Sequence, residues 1–454
     1  MFIFQFDVVL ALLLAFAVFI FIPRSLRWIY LLALSIVLLA FASLSGLLLM
    51  ALQTLFAYCI VFALGRIKTP IWRLWLCWAS VFIELCPILI FRLWSGPIAT
   101  RDWLLPLGLS FYTFQLIAYI LEVYWERRPI EKNLGRFMLF SFLFANKNVG
   151  PIERPTLLDQ IKDLPFPSSE VLFRSAFFIW LGLFQKFAIA DNIAPYVDPV
   201  LAKPQDFAGI PVWCAILLSK YQIFCDFSGG SLVALGLAGV FGLKLTKNFD
   251  RPFAALSLRE FWRRWHISLQ SWIRDYVFFP LLTTRFARFG VFPILLLTFI
   301  LFGIWHDFRW TFVAYGALQA VLLWLALDRW IMRFFSRATA PFILVFNYCV
   351  LLCLPSVLFR ATSLQQAWDI WRHLGLRLGS WDFFIGMGKT SLPKIGFFIL
   401  LNELWQWADA KWKLLDLIAR RTWVERVGLS LVLLIFLFLT AKLDQNLDFV
   451  YRQY

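Results

Sequence analysis

The chain has 454 residues, 61% of them hydrophobic and 15% charged, whereas soluble domains carry roughly 25% charged residues and under half apolar ones. That balance excludes a water-soluble globular fold and makes lipid the solvent. The net charge of +16 would suit a nucleic-acid binder, but in a membrane protein such an excess records basic cytoplasmic loops, so no nucleic-acid partner is expected.

In chain order, the first predicted span is Phe2–Ile22. It lacks the basic n-region and small-residue cleavage site of a secretory signal before Pro23, so it reads as a helix. From Trp28 to Gly65 there are 38 residues without a formal charge, about twice the ~20 that a spanning helix needs. Two helices are expected there, with Ser43, Ser45 and Gly46 supplying the turn. Further spans are predicted at Leu74–Leu93, Trp103–Trp125, Val171–Ala190, Phe207–Phe224, Val291–Trp305, Trp310–Leu327, Pro341–Leu358 and Val427–Ala441. With re-entrant or interfacial pieces between them, the pattern predicts an all-α polytopic membrane protein of about eleven transmembrane helices. A single domain over residues 1–454 is expected.

Basic residues alternate with uncharged turns. Arg24 and Arg27 follow the first span, the turn near Ser45 is uncharged, and Arg66, Lys68 and Arg73 follow the third span. Arg127, Arg128, Lys132 and Arg136 follow the Trp103–Trp125 span. The positive-inside bias then places the N-terminus outside and the basic loops in the cytoplasm. Lys244–Arg288, with nine Lys/Arg against three acids, is expected to be cytoplasmic, and Asp191–Asp206, with three Asp against Lys203, to be an outside loop. The seven cysteines show no paired metal spacing and read as small packing residues.

Polar residues concentrate in two places. The first opens with Asp226-Phe-Ser228-Gly-Gly-Ser231 directly after an apolar span. An acid beside two glycines at membrane depth predicts irregular backbone facing a cavity; the alternative is that Asp226 caps a packed helix. Gly236, Gly239 and Gly242 would let a neighbouring helix approach closely. Next, Leu258, Phe261, Trp262, Trp265, Leu269, Trp272 and Tyr276 recur at helical spacing opposite Arg259, Arg263, His266, Gln270 and Arg274. This predicts one basic amphipathic helix. It would either anchor through its tryptophans at the cytoplasmic interface or receive a phosphate-bearing donor on arginines such as Arg263.

The second cluster surrounds His306. The fifteen uncharged residues Val291–Trp305 precede His306 and eighteen follow Arg309, which predicts an elbow between two apolar segments. A desolvated histidine stays neutral near pH 7, the form a general base needs; the alternative is a structural histidine bonded to a carbonyl. His373, in a polar run, reads as a solvated loop residue. The three histidines lie 40 and 67 residues apart, without ligand spacing, so no metal is assigned. No Gly-x-Ser-x-Gly elbow and no phosphate-binding Gly-rich loop before a Lys occurs.

Asp226-Phe-Ser-Gly, Asn248-Phe-Asp-Arg-Pro252, Glu260-Phe-Trp-Arg-Arg-Trp-His-Ile-Ser-Leu269 with Trp272-Ile-Arg-Asp-Tyr276, and Trp305-His306 together resemble the membrane-bound O-acyltransferase family. The likeness is to the bacterial branch that O-acetylates alginate and related polysaccharides, with the D-alanyl transferase of teichoic acid as a relative. Pro106–Gln115, Gly150–Pro155, Gly182–Lys186 through Asn192, Phe359–Ala361 and Phe449–Tyr454 are similar to that branch as well. The resemblance implies a central transmembrane tunnel, His306 as the catalytic residue and His266 as a second functional candidate. Asp226, Ser228, Arg263 and Trp305 are candidates for binding the donor or lining the tunnel. Three departures stand out. Asp307 replaces the family's usual Gly after the histidine, Arg309 adds a second charge, and Gly230-Ser231-Leu232 lacks a second acid.

The implied reaction is transfer of an acyl group, acetyl by analogy, from a cytoplasmic thioester to a hydroxyl reached from the other side of the membrane. The donor, acetyl-CoA or an acyl-carrier protein, is a substrate, and no bound cofactor is expected. Analogy also implies the bacterial inner membrane, an extracytoplasmic acetyltransferase partner protein and a polysaccharide acceptor. Two alternatives stay open: D-alanyl transfer to a teichoic acid-like acceptor, and transport of a lipid- or polyprenyl-linked molecule without bond chemistry.

Overall fold

A computed structural model describes residues 6–93, 108–147, 149–325, 339–375 and 391–440. Every regular element among them is helical. Among the described residues, seven helices are long and apolar enough to cross a membrane: Arg24–Ala42, Leu44–Arg66, Pro70–Phe91, Ser169–Ala202, Ile210–Val240, Ala340–Arg360 and Trp423–Thr440. Asp7–Phe19, Leu109–Tyr124, Leu134–Asn146, Val291–His306 and Trp310–Leu325 are shorter apolar helices. The chain is thus an all-α, multi-pass membrane protein. Its backbone contacts divide it into two compact units, each described by itself.

The first unit comprises Met1–Ile179 with Ser231–Lys247. It contains α1 (Phe6–Phe19), α2 (Arg27–Ala42), α3 (Leu44–Arg66), α4 (Pro70–Leu93), α5 (Leu109–Tyr124), α6 (Leu134–Phe142), α7 (Leu157–Lys162) and most of α8 (Ser169–Leu183). The long uncharged run does break at Ser43. Its extended backbone ends α2, and its hydroxyl accepts from the Gly46 N–H to cap α3. Inside the unit, Gln53 Nε2 on α3 donates to the Glu84 carboxylate on α4 at 2.9 Å, while Tyr112 on α5 donates to Gln53 Oε1 at 2.9 Å. Such bonds between helices satisfy polar groups that lipid cannot. The Gly150–Pro155 segment is tied down by Glu153, whose carboxylate accepts from the Thr246 backbone N–H at 2.6 Å and from its hydroxyl at 3.1 Å. Gly236 packs as expected: a Cβ there would lie 2.5 Å from the Ser175 carbonyl oxygen.

The second unit comprises Trp180–Gly230 with Asn248–Tyr454. A π-helical turn, Phe184–Ala190, joins α8 to α9 (Asp191–Ala202). The predicted outside loop Asp191–Asp206 is therefore mostly helix, and Asp191 is buried. Its carboxylate is held by Lys186 at 2.9 Å, and Lys186 also binds Asp226 at 2.8 Å. That pairing explains a second correction. The stretch Asp226–Ser231 is not irregular; it lies inside α10, an unbroken helix from Ile210 to Val240. Because Lys186 neutralises Asp226, the backbone need not open to solvate it.

After α10, the predicted single helix over Leu258–Tyr276 is two, α11 (Leu258–Arg264) and α12 (Ile267–Ile273), followed by a π-turn, Arg274–Phe278, and α13 (Phe279–Leu282). Trp262, Trp265 and Trp272 are buried, so they are core residues and not interfacial anchors. Then come α14 (Val291–His306) and α15 (Trp310–Leu325), α16 (Ala340–Phe346) continued through a π-turn into α17 (Leu354–Arg360), and α18 (Leu364–Arg372). The last described elements are α19 (Leu392–Trp412), α20 (Leu414–Ala419) and α21 (Trp423–Thr440). Helix α19 was not predicted, because Lys394, Glu403 and Asp409 interrupt its apolar pattern. The Phe449–Tyr454 segment, and residues 106 and 107, lie outside the described residues.

Candidate active site

The predicted elbow around His306 is present. Helices α14 and α15 form a hairpin whose tightness comes from two glycines. A Cβ on Gly303 would fall 2.2 Å from the Phe312 carbonyl oxygen, and one on Gly316 2.2 Å from that of Phe299. Only hydrogen fits at either point, so the backbones touch directly. His306 is the last residue of α14 and only 4% exposed. Its ring is enclosed by Trp305, Phe302, Phe359 and Phe312, at centroid distances of 4.5, 5.0, 4.9 and 5.9 Å. The charges at the elbow neutralise one another: Arg309 Nε binds the Asp307 carboxylate at 2.7 Å, and its Nη1 donates to the Ala361 carbonyl at 3.4 Å.

His266 sits in the break between α11 and α12. Trp265 is extended, and His266 adopts the left-handed region at φ 44°, uncommon for a residue with a Cβ. Asn248 holds that shape. Its backbone carbonyl accepts from the Ile267 N–H at 2.9 Å, and its side-chain oxygen accepts from the Ser268 hydroxyl at 2.6 Å. The break turns the imidazole inward, leaving it 1% exposed against Phe227, 4.6 Å away, and Trp305, 6.1 Å away. Burial pushes its pKa down to about 3, so it is neutral at physiological pH.

The two histidines, 40 residues apart in sequence, line one small cavity. Its walls are Lys220, Ile223, Trp262, Trp265, His266, Phe302, His306, Tyr315, Ser356 and Phe359, around a space of about 20 Å³, which holds about one water. Of the other candidates, the Trp305 ring packs against both imidazoles, 6.1 Å from His266 and 4.5 Å from His306. Asp226, in its ion pair with Lys186, and the buried Ser228 are on α10 outside the lining, and Arg263 is exposed. His373 is a half-buried helix cap, not a solvated loop residue: its Nδ1 lies 2.7 Å from the Asp369 carbonyl oxygen. Sequence reasoning missed Lys220 and the positioning role of Asn248. A lone lysine within the predicted span Phe207–Phe224 was the available signal for the first, and the Asn248–Pro252 motif for the second.

Comparison with known proteins identifies the family. The profile of MBOAT, the membrane-bound O-acyltransferase family, matches residues 131–364. "Probable alginate O-acetylase AlgI" of Azotobacter vinelandii is 32% identical over 398 residues, covering 84% of this chain and 78% of that protein. The "Peptidoglycan O-acetyltransferase" of Helicobacter pylori is 32% identical over 216 residues, covering 42% and 41%. The "Teichoic acid D-alanyltransferase" of Streptococcus thermophilus is 29% identical over 231 residues, covering 49% and 55%. A polytopic helical chain with this profile and these relatives is an O-acyltransferase, and it belongs to the membrane-bound O-acyltransferase family.

Proposed function

We propose that the protein transfers an acetyl group from a cytoplasmic thioester, acetyl-CoA or an acetylated carrier protein, to a hydroxyl presented from the other side of the bacterial inner membrane. The observation that carries this reading is the shared cavity: two buried imidazoles, contributed by separate segments, line one small space. His306 takes the proton of the acceptor hydroxyl as its oxygen attacks the thioester carbonyl. The C–O bond forms, the C–S bond breaks, and the thiolate recovers the proton from the imidazolium. His266, neutral throughout, serves as a polar wall that holds a substrate oxygen. Since the cavity has room for about one water, substrate entry requires Phe302 or Phe359 to swing aside. The named functions of the alginate and peptidoglycan relatives favour a polysaccharide as final acceptor, reached through an extracytoplasmic transferase partner.

The test supplies labelled acetyl donors to membranes and follows label out of the cytoplasmic pool. His306→Gln, which retains size and polarity, should lower transfer by roughly a hundred- to ten-thousand-fold, with His373→Ala near wild type. Full transfer by folded His306→Gln protein would remove the base from this mechanism.

A further inference from the structure

Lys220 projects from α10 into the cavity that holds both histidines. It is 4% exposed, and its ammonium lies 4.1 Å from the centroid of Trp265 and 5.5 Å from that of Phe261. Aromatic faces of this kind attract a cation without neutralising it. None of the ten lining residues is an acid, and no ion pair to Lys220 occurs among the described residues. Another buried lysine of this unit, Lys186, is held by two carboxylates. The contrast is informative. A buried charge without a counter-ion is costly, and a negative or strongly dipolar group that shares its cavity offsets that cost.

We infer that Lys220 is a specificity-determining residue that makes the reaction cavity accept neutral or carboxylate-bearing acyl groups and reject ammonium-bearing ones such as D-alanyl. This deepens the proposed function and rests on it, since it assumes that the acyl group reaches the cavity lined by His306. An acyl group placed there lies within a few ångströms of Lys220. Two like unit charges about 5 Å apart, at an effective dielectric of about 20, disfavour occupancy on the order of a hundredfold. A carboxylate at the end of a succinyl group would gain in the opposite direction, reduced by its own desolvation.

The experiment uses the full chain in lipid nanodiscs and CoA carriers that differ only in acyl charge: acetyl, succinyl and D-alanyl thioesters for transfer, and the matching non-reactive thioether analogues for binding. Wild type should bind and use the acetyl and succinyl forms at least tenfold better than the D-alanyl form. Lys220→Met should erase that preference, and Lys220→Arg, which keeps the charge, should retain it. Equal binding of the three analogues by wild type overturns the inference, as does an unchanged preference in folded Lys220→Met protein. If the analogues bind with the expected preference while no thioester is turned over, the inference stands and the transfer reaction proposed above fails.

Discussion

Gly303→Ala tests whether the α14–α15 hairpin positions His306. The added Cβ would lie 2.2 Å from the Phe312 carbonyl oxygen, where ordinary contacts begin near 3.4 Å. That oxygen is backbone and cannot rotate away, so the two helices must part locally by about 1 Å, a displacement that costs roughly a hundredfold in rate when it reaches the reacting groups. His306 is the next turn's residue on the same helix, three positions on, and Phe312 walls its ring on the other. Overpacking of this kind also costs about 1–3 kcal/mol of stability. Thermal unfolding of detergent-extracted, monodisperse protein and an acyl-transfer assay on equal amounts should therefore both register the change. His306→Gln is the contrasting variant: it should lose transfer with little change in unfolding. If Gly303→Ala protein unfolds at the wild-type temperature and transfers at the wild-type rate, the direct backbone contact does not position the histidine.

Two further outcomes follow from buried charge. Burial holds the His266 pKa at about 3, below the ~6.5 of an unfolded histidine, so the unfolded chain takes up a proton that the folded one refuses. Its effect is absent above pH 6.5 and grows as pH falls toward 3, destabilising by about 2 kcal/mol at pH 5; His266→Gln should show a correspondingly weaker loss of stability between pH 7 and 5, and identical profiles would contradict the assignment. Lys186→Met leaves Asp191 and Asp226 buried without their shared cation, which should cost roughly 3–5 kcal/mol. Adding Asp226→Asn should recover part of the loss in an unfolding assay, and no recovery would mean that the ion pair is not what lets α10 run unbroken through Asp226.

Much of the architecture is legible in the sequence, because lipid imposes a simple rule: long apolar runs must be helices that satisfy their own backbone. The break at Ser43 and the elbow at His306 follow from local composition alone, as does the close packing at Gly236. The family likeness is equally local, carried by short motifs such as Asp226–Gly229 and Glu260–Leu269. What the sequence could not settle is how polar groups find partners across the fold. Lys186 reaches Asp226 forty residues away, and that pairing keeps α10 helical where composition suggested an opening. Asn248 bonds to Ile267 and Ser268, and that pairing breaks a helix that periodicity had drawn as continuous. With the break, the tryptophans turn inward and His266 joins His306 at one cavity beside Lys220. Periodicity reports which face of a segment is apolar, but whether that face meets lipid or protein, and which charges share a cavity, is decided by tertiary contacts between residues distant in the chain.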